Sequence, residues 1–142
     1  MRYCKISQYV IFFYKKGVLI LKKIVIAGCR DYENYNEAKE YIDFLVQNIR
    51  KTHKIVIISG GCKGADALGE RYAKENGVEI ERHPARWQEF GKSAGPRRNF
   101  EMAEQADYVI CFWDGKSRGT KTMIEFSKKL EKPLRIKKIK NF

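Results

Sequence analysis

Short apolar runs alternate with amphipathic segments along most of the chain from residue 24 onward. A continuous apolar run is typical of a buried parallel strand, whereas apolar residues spaced three and four apart are typical of a helix face. The predicted strands cover residues 24–27, 55–58, 78–81, 108–113 and 134–136. The predicted helices cover residues 36–50, 66–76, 96–106 and 120–130, and Pro96 is expected at the first position of its helix.

This strict alternation of strand and helix predicts an α/β fold. We expect a single Rossmann-like three-layer domain with a mostly parallel, about five-stranded sheet and right-handed crossovers. Such sheets bind ligands beyond the carboxyl ends of their strands, at the point where the strand order reverses. Four segments follow strand ends and are therefore expected at one rim: 28–32, 59–66, 83–96 and 114–120.

The first residues of the chain have a different pattern. Residues 1–23 contain no acidic side chain and show no clear period. We therefore divide the chain into an N-terminal extension, residues 1–22, and a Rossmann-like nucleotide-binding domain, residues 23–142. The extension is interpreted as an arm, an extra strand or an over-long gene start, and the sequence leaves these three alternatives open.

The segment 59–66 is rich in glycine and lies between a predicted strand and a predicted helix. Glycine lets a backbone approach a ligand closely, and a strand–loop–helix turn presents N–H groups and a helix N-terminus to a phosphate. The spacing matches neither the dinucleotide-binding fingerprint nor a Walker A loop. Tight packing alone is the alternative explanation, but we predict a phosphate or nucleotide site that uses Ser59, Gly60, Gly61, Gly64 and Asp66.

The other three segments carry side chains suited to nucleotides. Trp87 is positioned to stack on a base or to cover an edge of the core, and the cations Arg98 and Lys116 are suited to phosphate. The hydroxyls of Ser117 and Thr120 precede a helix, although a solvated loop is the alternative there. The remaining candidates for ligand binding are Gly28, Arg30, Asp31, Asn99 and Gly119.

Charge and cysteine content narrow the class of protein. The net charge of +12 is concentrated in the two ends of the chain, so nucleic acid is an open but less favoured partner of the folded site. The four cysteines form no C-x-x-C pair, which argues against a zinc site or a disulfide framework and favours a reducing cytoplasm. No apolar stretch is long enough for a membrane helix. We expect no metal and no membrane partner, and no cofactor is certain beyond a nucleotide-type ligand.

Four ordered motifs resemble the YspA-like, cpYpsA-related branch of the SLOG superfamily. They begin at Gly28, Ser59, Pro84 and Arg118, and the resemblance covers about residues 23–136. The superfamily also contains the Lonely Guy phosphoribohydrolases and the DprA/Smf DNA-processing proteins. The resemblance implies a Rossmann-like domain that binds a nucleotide or nucleotide derivative, with pairing into a homodimer as in many relatives.

The chain departs from the Lonely Guy pattern at a catalytic position. Arg98 aligns with the catalytic arginine of those enzymes, but Met123 stands where they have a glutamate. Asp66 or Asp31 would have to supply the missing carboxylate, so the catalytic candidates are Arg98 and Asp66. Cys29 also replaces the usual hydroxyl of the first motif, and Arg86 replaces an aspartate.

Three functions therefore remain open. The first is a sensor or processing protein that binds a nucleotide or nucleotide derivative through its glycine-rich loops. The second is a Lonely Guy-like hydrolase of N-glycosidic or phosphate bonds, for which the status as an enzyme is uncertain. The third is a DNA-binding or DNA-processing protein that uses the basic ends.

Overall fold

The structure is a computed structural model that describes residues 2–6, 9–14 and 17–140, with side chains described from residue 20 to residue 140. Its strands are β1 (Arg2–Ile6), β2 (Tyr9–Tyr14), β3 (Gly17–Gly28), β4 (His53–Ser59), β5 (Glu79–Arg82), β6 (Tyr108–Trp113) and β7 (Leu134–Lys138). Its helices are α1 (Tyr35–Val46), α2 (Ile49–Thr52), α3 (Ala65–Glu75), α4 (Trp87–Phe90), α5 (Ala94–Gln105) and α6 (Arg118–Lys129). A single 3₁₀ turn, Gly91–Ser93, joins α4 to α5.

The five strands β3 to β7 form an all-parallel sheet with the order β5-β4-β3-β6-β7. The strand order reverses between β3 and β6, because the chain first builds the sheet outward from β3 to β5 and then returns to the other side of β3. This is the order of the Rossmann fold, and its ligand crevice lies beyond the carboxyl ends of these two strands. The expected α/β class and the five-stranded parallel sheet are confirmed.

Helices cover both faces of the sheet, and alternate residues of β3 point to opposite cores. Ile24 and Ile26 lie in a cluster with side chains of α1 and α3, such as Ile42 and Tyr72. Val25 and Ala27 lie in a second cluster with α5 and α6, whose members include Met102 and Met123. The helix–sheet–helix sandwich explains why residues 24–27 form a continuous apolar run.

The first half of β3 continues beyond the parallel sheet and pairs there with an antiparallel strand. β2 pairs antiparallel with β3 through residues 17–20, and β1 pairs antiparallel with β2. The predicted boundary between residues 22 and 23 thus falls inside β3. The proposed division into an extension and a domain remains a prediction, although the backbone of the extension forms two strands.

Two sequence-based expectations about helices require correction. Helix α5 begins at Ala94, so Pro96 occupies its third position and not its first. The first turn of a helix tolerates this proline because its N–H groups have no intrahelical partner. The predicted helix 36–50 is divided into α1 and the one-turn α2, and the connection 83–95 contains α4 and the 3₁₀ turn.

Candidate functional site

A cavity of about 500 Å³ lies at the carboxyl ends of β3 and β6, where the strand order reverses. Three of the four segments expected at this rim contribute to it directly, and residues of α3, α5 and α6 complete its walls. It brings together ten of the predicted site residues: Gly28, Arg30, Asp31, Asp66, Arg98, Asn99, Lys116, Ser117, Gly119 and Thr120.

The remaining predicted residues do not line this cavity. Gly60, Gly61 and Trp87 line a second cavity of about 370 Å³, which shares Arg30, Cys62 and Arg98 with the first. Ser59 is fully buried, and Gly64 lies beneath the loop that follows β3.

Two glycines of the loop 59–66 pack closely against other segments of the protein. A Cβ at Gly60 would lie 2.7 Å from Nη1 of Arg98 and 2.9 Å from Oδ2 of Asp66. A Cβ at Gly64 would overlap with the carbonyl oxygens of Cys29 and Arg30. Among the three glycines of this loop, only Gly61, at φ +75°, has open space where a Cβ would stand, with no atom within 4 Å of it. Gly60 and Gly64 therefore hold the strand-end loops together.

Internal hydrogen bonds occupy part of the same loop. The N–H of Gly61 donates to Oγ of Ser59 at 3.0 Å, and the N–H of Cys62 donates to Oδ2 of Asp66 at 3.1 Å. The Ser59 hydroxyl in turn donates to Glu70, which also accepts two hydrogen bonds from Arg82. These two backbone donors already have partners, so they are not free for a phosphate.

Arg98 is buried, with 8% of its surface exposed, and it connects α5 to two segments of the rim. Its Nη1 donates to the carbonyl of Gly60 at 2.7 Å and to that of His83 at 3.5 Å, and its Nε donates to Asn99 at 2.9 Å. The neighbouring Arg97 is exposed and bonds Ser93 at 3.1 Å. Because Arg98 is buried and bonded in this way, its removal costs stability as well as any affinity for an anion.

Asp66 has an unusual protonation equilibrium for a carboxyl group. Burial raises the pKa of Asp66 to about 6, while the hydrogen bond from the Cys62 N–H and the charge of Arg98 oppose that rise. Its side chain lines the cavity and is 7% exposed as a residue. A carboxyl group that titrates near neutrality is suited to donate or accept a proton.

The turn before α6 is shaped by Asp114. Its Oδ1 accepts from the N–H groups of Lys116 and Ser117 at 2.8 Å each, and these bonds lower the pKa of Asp114. The hydroxyls of Ser117 and Thr120 lie 3.2 Å apart at the start of α6. The turn thus places two hydroxyls and the first residues of a 12-residue helix against the cavity.

Five residues that line the cavity were not among the predicted ligand-binding residues: Ala27, Cys29, Cys62, Asp114 and Met123. Asp114 follows β6 directly, and its place at a predicted strand end was the signal that could have identified it. Met123 is buried and forms part of the wall, so the position equivalent to the Lonely Guy glutamate supplies no carboxylate here. Cys62 is half-buried and borders both cavities, unlike the buried Cys29 and Cys111.

Sequence comparisons identify relatives of this chain. The profile of the YspA, cpYpsA-related SLOG family matches residues 22–90, which include the second half of β3, β4 and the glycine-rich loop. The gene 61 protein of Mycobacterium phage D29 is 30% identical over 121 residues, an alignment that covers 80% of this chain and 94% of that protein. The chain belongs to the YspA, cpYpsA-related SLOG family.

Solved structures resemble this SLOG domain in fold. DNA processing protein A (DprA) of Streptococcus pneumoniae superposes with a TM-score of 0.62 at 19% identity, over 81% of this chain and 49% of that one. TM1055 has a TM-score of 0.58 at 21% identity, with coverage of 80% and 72%. DNA processing protein A from Helicobacter pylori, described with a single-stranded DNA binding mode, has a TM-score of 0.57 at 22% identity, with coverage of 81% and 64%. The SLOG domain spans about half the length of the Streptococcus protein, and these likenesses show a shared fold.

The described residues contain neither a metal-binding cluster nor a membrane-spanning helix. Within residues 20–140, no group of three or more His, Cys, Asp or Glu side chains is arranged to hold a metal ion. Among the described parts of the chain, no helix has the length and apolar character required to cross a membrane.

Proposed function

We propose that this protein binds a nucleotide or nucleotide derivative in the cavity at the carboxyl ends of β3 and β6. The observation that carries the proposal is the convergence of ten candidate residues on one cavity of about 500 Å³ at the Rossmann switch point. That volume is within the range of roughly 300–1,000 Å³ found for small-molecule sites. Family membership adds the expectation of a nucleotide-type ligand.

The N-terminus of α6 is the best place for the phosphate. The N–H groups of the first helical turn have no intrahelical partner, and the helix dipole favours an anion there. Lys116 adds an exposed cation, and Ser117 and Thr120 add hydroxyl donors. The glycine-rich loop contributes indirectly, because it positions Arg98 and Asp66 at the opposite wall.

The charge of the cavity favours a small ligand over a long polyanion. Its lining includes three cations (Arg30, Arg98, Lys116) and three acids (Asp31, Asp66, Asp114). Acidic side chains in nucleotide sites accept hydrogen bonds from ribose hydroxyls, whereas surfaces that bind nucleic acid are strongly positive. A ligand with a few phosphates and free ribose hydroxyls matches this balance.

A second candidate function is hydrolysis of the bond between base and ribose or of a phosphate bond. The observation that favours it is the burial of Asp66 in the cavity, with its pKa raised to about 6. In this role Asp66 would exchange a proton with the leaving base or the attacking water, and Arg98 would hold the anionic part of the substrate. Release of free base or phosphate from nucleoside monophosphates, abolished by Asp66→Asn, would establish turnover.

Calorimetric titration of two lysine variants tests the binding proposal. Lys116→Ala removes a cation that lines the cavity, and Lys121→Ala removes an exposed cation of α6 that does not. With nucleoside monophosphates as probes, we expect Lys116→Ala to weaken binding about tenfold or more, since a hydrogen bond to a charged group contributes roughly 1.5–3 kcal/mol when well formed. Lys121→Ala should leave affinity unchanged.

Equal losses in the two variants would indicate a diffuse basic surface and would refute the site. Single-stranded DNA serves as a competitor in the same titration, because a DNA processing protein A shares this fold. Displacement of nucleotide by DNA at low concentration, with a steep dependence on salt, would assign the cavity to nucleic acid instead.

A further inference from the structure

The second cavity, of about 370 Å³, lies on the other side of the shared residues Arg30, Cys62 and Arg98. Its own walls are formed by the turn after β4, by Arg82 at the end of β5 and by the segment that follows β5, including Trp87. The two cavities therefore border one another along Arg98. Each of them is within the size range of a small-molecule site on its own.

Trp87 is the most distinctive residue of the second cavity. The residue is 52% exposed, although large aromatic side chains gain most from burial. The ring is nevertheless held in place, because it lies against the backbone of α5 at Gly95, where an added Cβ would be 3.3 Å from Cη2. A fixed but half-exposed aromatic ring is suited to stack on a planar ligand group.

The charge of this cavity differs from that of the first. Three arginines line it (Arg30, Arg82, Arg98), and its lining includes no carboxylate. Arg82 forms an ion pair with Glu70 at 2.6 Å, while none of the ion pairs within residues 20–140 involves Arg30. Guanidinium groups beside an aromatic ring provide contacts for phosphate and base together.

We propose that the ligand extends from the first cavity into the second and carries two nucleosides joined through phosphate. One nucleoside occupies the first cavity with its own phosphate at the N-terminus of α6, the next phosphate of the linkage passes along Arg98 and Arg30, and the second base stacks on Trp87. This inference rests on the proposed function and makes it more specific, since it names a dinucleotide as the class of ligand.

The test compares matched pairs of ligands on the full chain. Each of AMP, GMP, CMP and UMP is titrated beside the dinucleotide that contains two copies of the same nucleoside joined by a 5′,5′-pyrophosphate. We expect at least one dinucleotide to bind about tenfold or more tightly than its monophosphate, which is the scale of base–aromatic stacking. The same dinucleotides with a 3′,5′ linkage distinguish a free dinucleotide from the end of a nucleic-acid strand.

Three variants assign the gain to the stacking residue. Trp87→Ala should abolish the dinucleotide gain and leave monophosphate affinity unchanged, and Trp87→Tyr should retain most of the gain because the ring is kept. Phe44→Ala removes an aromatic side chain that is 67% exposed and lines neither cavity, so it should change nothing.

Different results would refute the dinucleotide proposal and the proposed function. If monophosphates bind and no dinucleotide of either linkage binds more tightly, the second nucleoside site is wrong and the proposed function stands. If Trp87→Ala weakens both ligands equally, the residue supports the fold and the stacking role is wrong. If no probe binds the wild-type protein, the proposed function fails as well.

Discussion

The raised pKa of Asp66 predicts a specific dependence of stability on pH. The pKa of this carboxyl group is about 6 in the folded protein, against a reference value of 3.8. Between these two values the folded state binds more protons than the unfolded state. The free energy of unfolding that Asp66 contributes is therefore fully present below pH 3.8 and is lost as the pH rises through 6.

The magnitude follows from the size of the shift. Each pKa unit corresponds to about 1.36 kcal/mol of differential interaction, so a shift of about two units corresponds to about 3 kcal/mol. Burial is the main cause, so screening by solvent reduces this figure little. Hydrogen bonds lower the pKa values of Glu70 and Asp114, so these two groups stabilise the folded state more as the pH rises. The pH dependence of the total free energy of unfolding therefore combines opposing contributions.

A comparison of the wild type with Asp66→Asn isolates the contribution. Asparagine keeps a side-chain oxygen that can accept the Cys62 N–H but cannot ionise. In urea unfolding from pH 4 to pH 7.5, we expect the stability of the variant relative to the wild type to increase by about 2 kcal/mol, because part of the contribution is already lost at pH 4. Asp31→Asn, which removes an exposed carboxylate of the same cavity, is the control for net charge. A difference that stays constant with pH would refute the burial argument and the proton-transfer role of Asp66.

Three other variants test the architecture of the rim. Gly60→Ala should destabilise the protein by about 1–3 kcal/mol in urea unfolding, because its Cβ would meet Arg98. Gly61→Ala should destabilise it by only about 1 kcal/mol, which is the cost of its positive φ. Equal losses of stability in the two variants would contradict this packing. Arg98→Ala should lower both the melting temperature and the nucleotide affinity, because Arg98 is buried. Arg97→Ala, at an exposed position, should change each quantity much less. Identical effects of the two substitutions would contradict a specific role for Arg98. Deletion of residues 1–16 leaves the parallel pairing of β3 intact, so it should lower the melting temperature by only a few degrees. A large fall in the melting temperature would instead show that the first two strands belong to the core.

The apolar runs predicted the fold well because the parallel strands are buried on both faces. Residues 108–113 were predicted as a strand with the bounds that the structure gives to β6. The length of β3 was underestimated, since Lys22 and Lys23 interrupt its apolar pattern. The ammonium group of Lys23 forms an ion pair with Glu81 at 2.9 Å, and its backbone N–H donates to Asp107. Such partners are distant in sequence, so local patterning does not show them.

The sequence predicted which segments meet at the candidate site more accurately than it predicted the role of each residue there. The rule that ligands bind beyond parallel strand ends placed Gly28, Asp66 and Thr120 together, and the structure brings all three to one cavity. The same glycine signal did not separate Gly60, which packs against Arg98 38 residues away, from Gly61, which is open. That difference depends on tertiary contacts that spacing alone does not encode.

The most direct test of the central claim is to map nucleotide binding on the backbone amides by nuclear magnetic resonance, which suits a protein of 16.6 kDa. During titration with nucleoside monophosphates, we expect saturable shifts at the amides of Arg30, Asn99, Gly119 and Thr120, all of which belong to residues that line the main cavity. Amides near the small apolar cavity beside Tyr108 and Pro133 should stay unchanged. The absence of saturable shifts at millimolar nucleotide, or shifts confined to other surfaces, would contradict a nucleotide site at the strand ends.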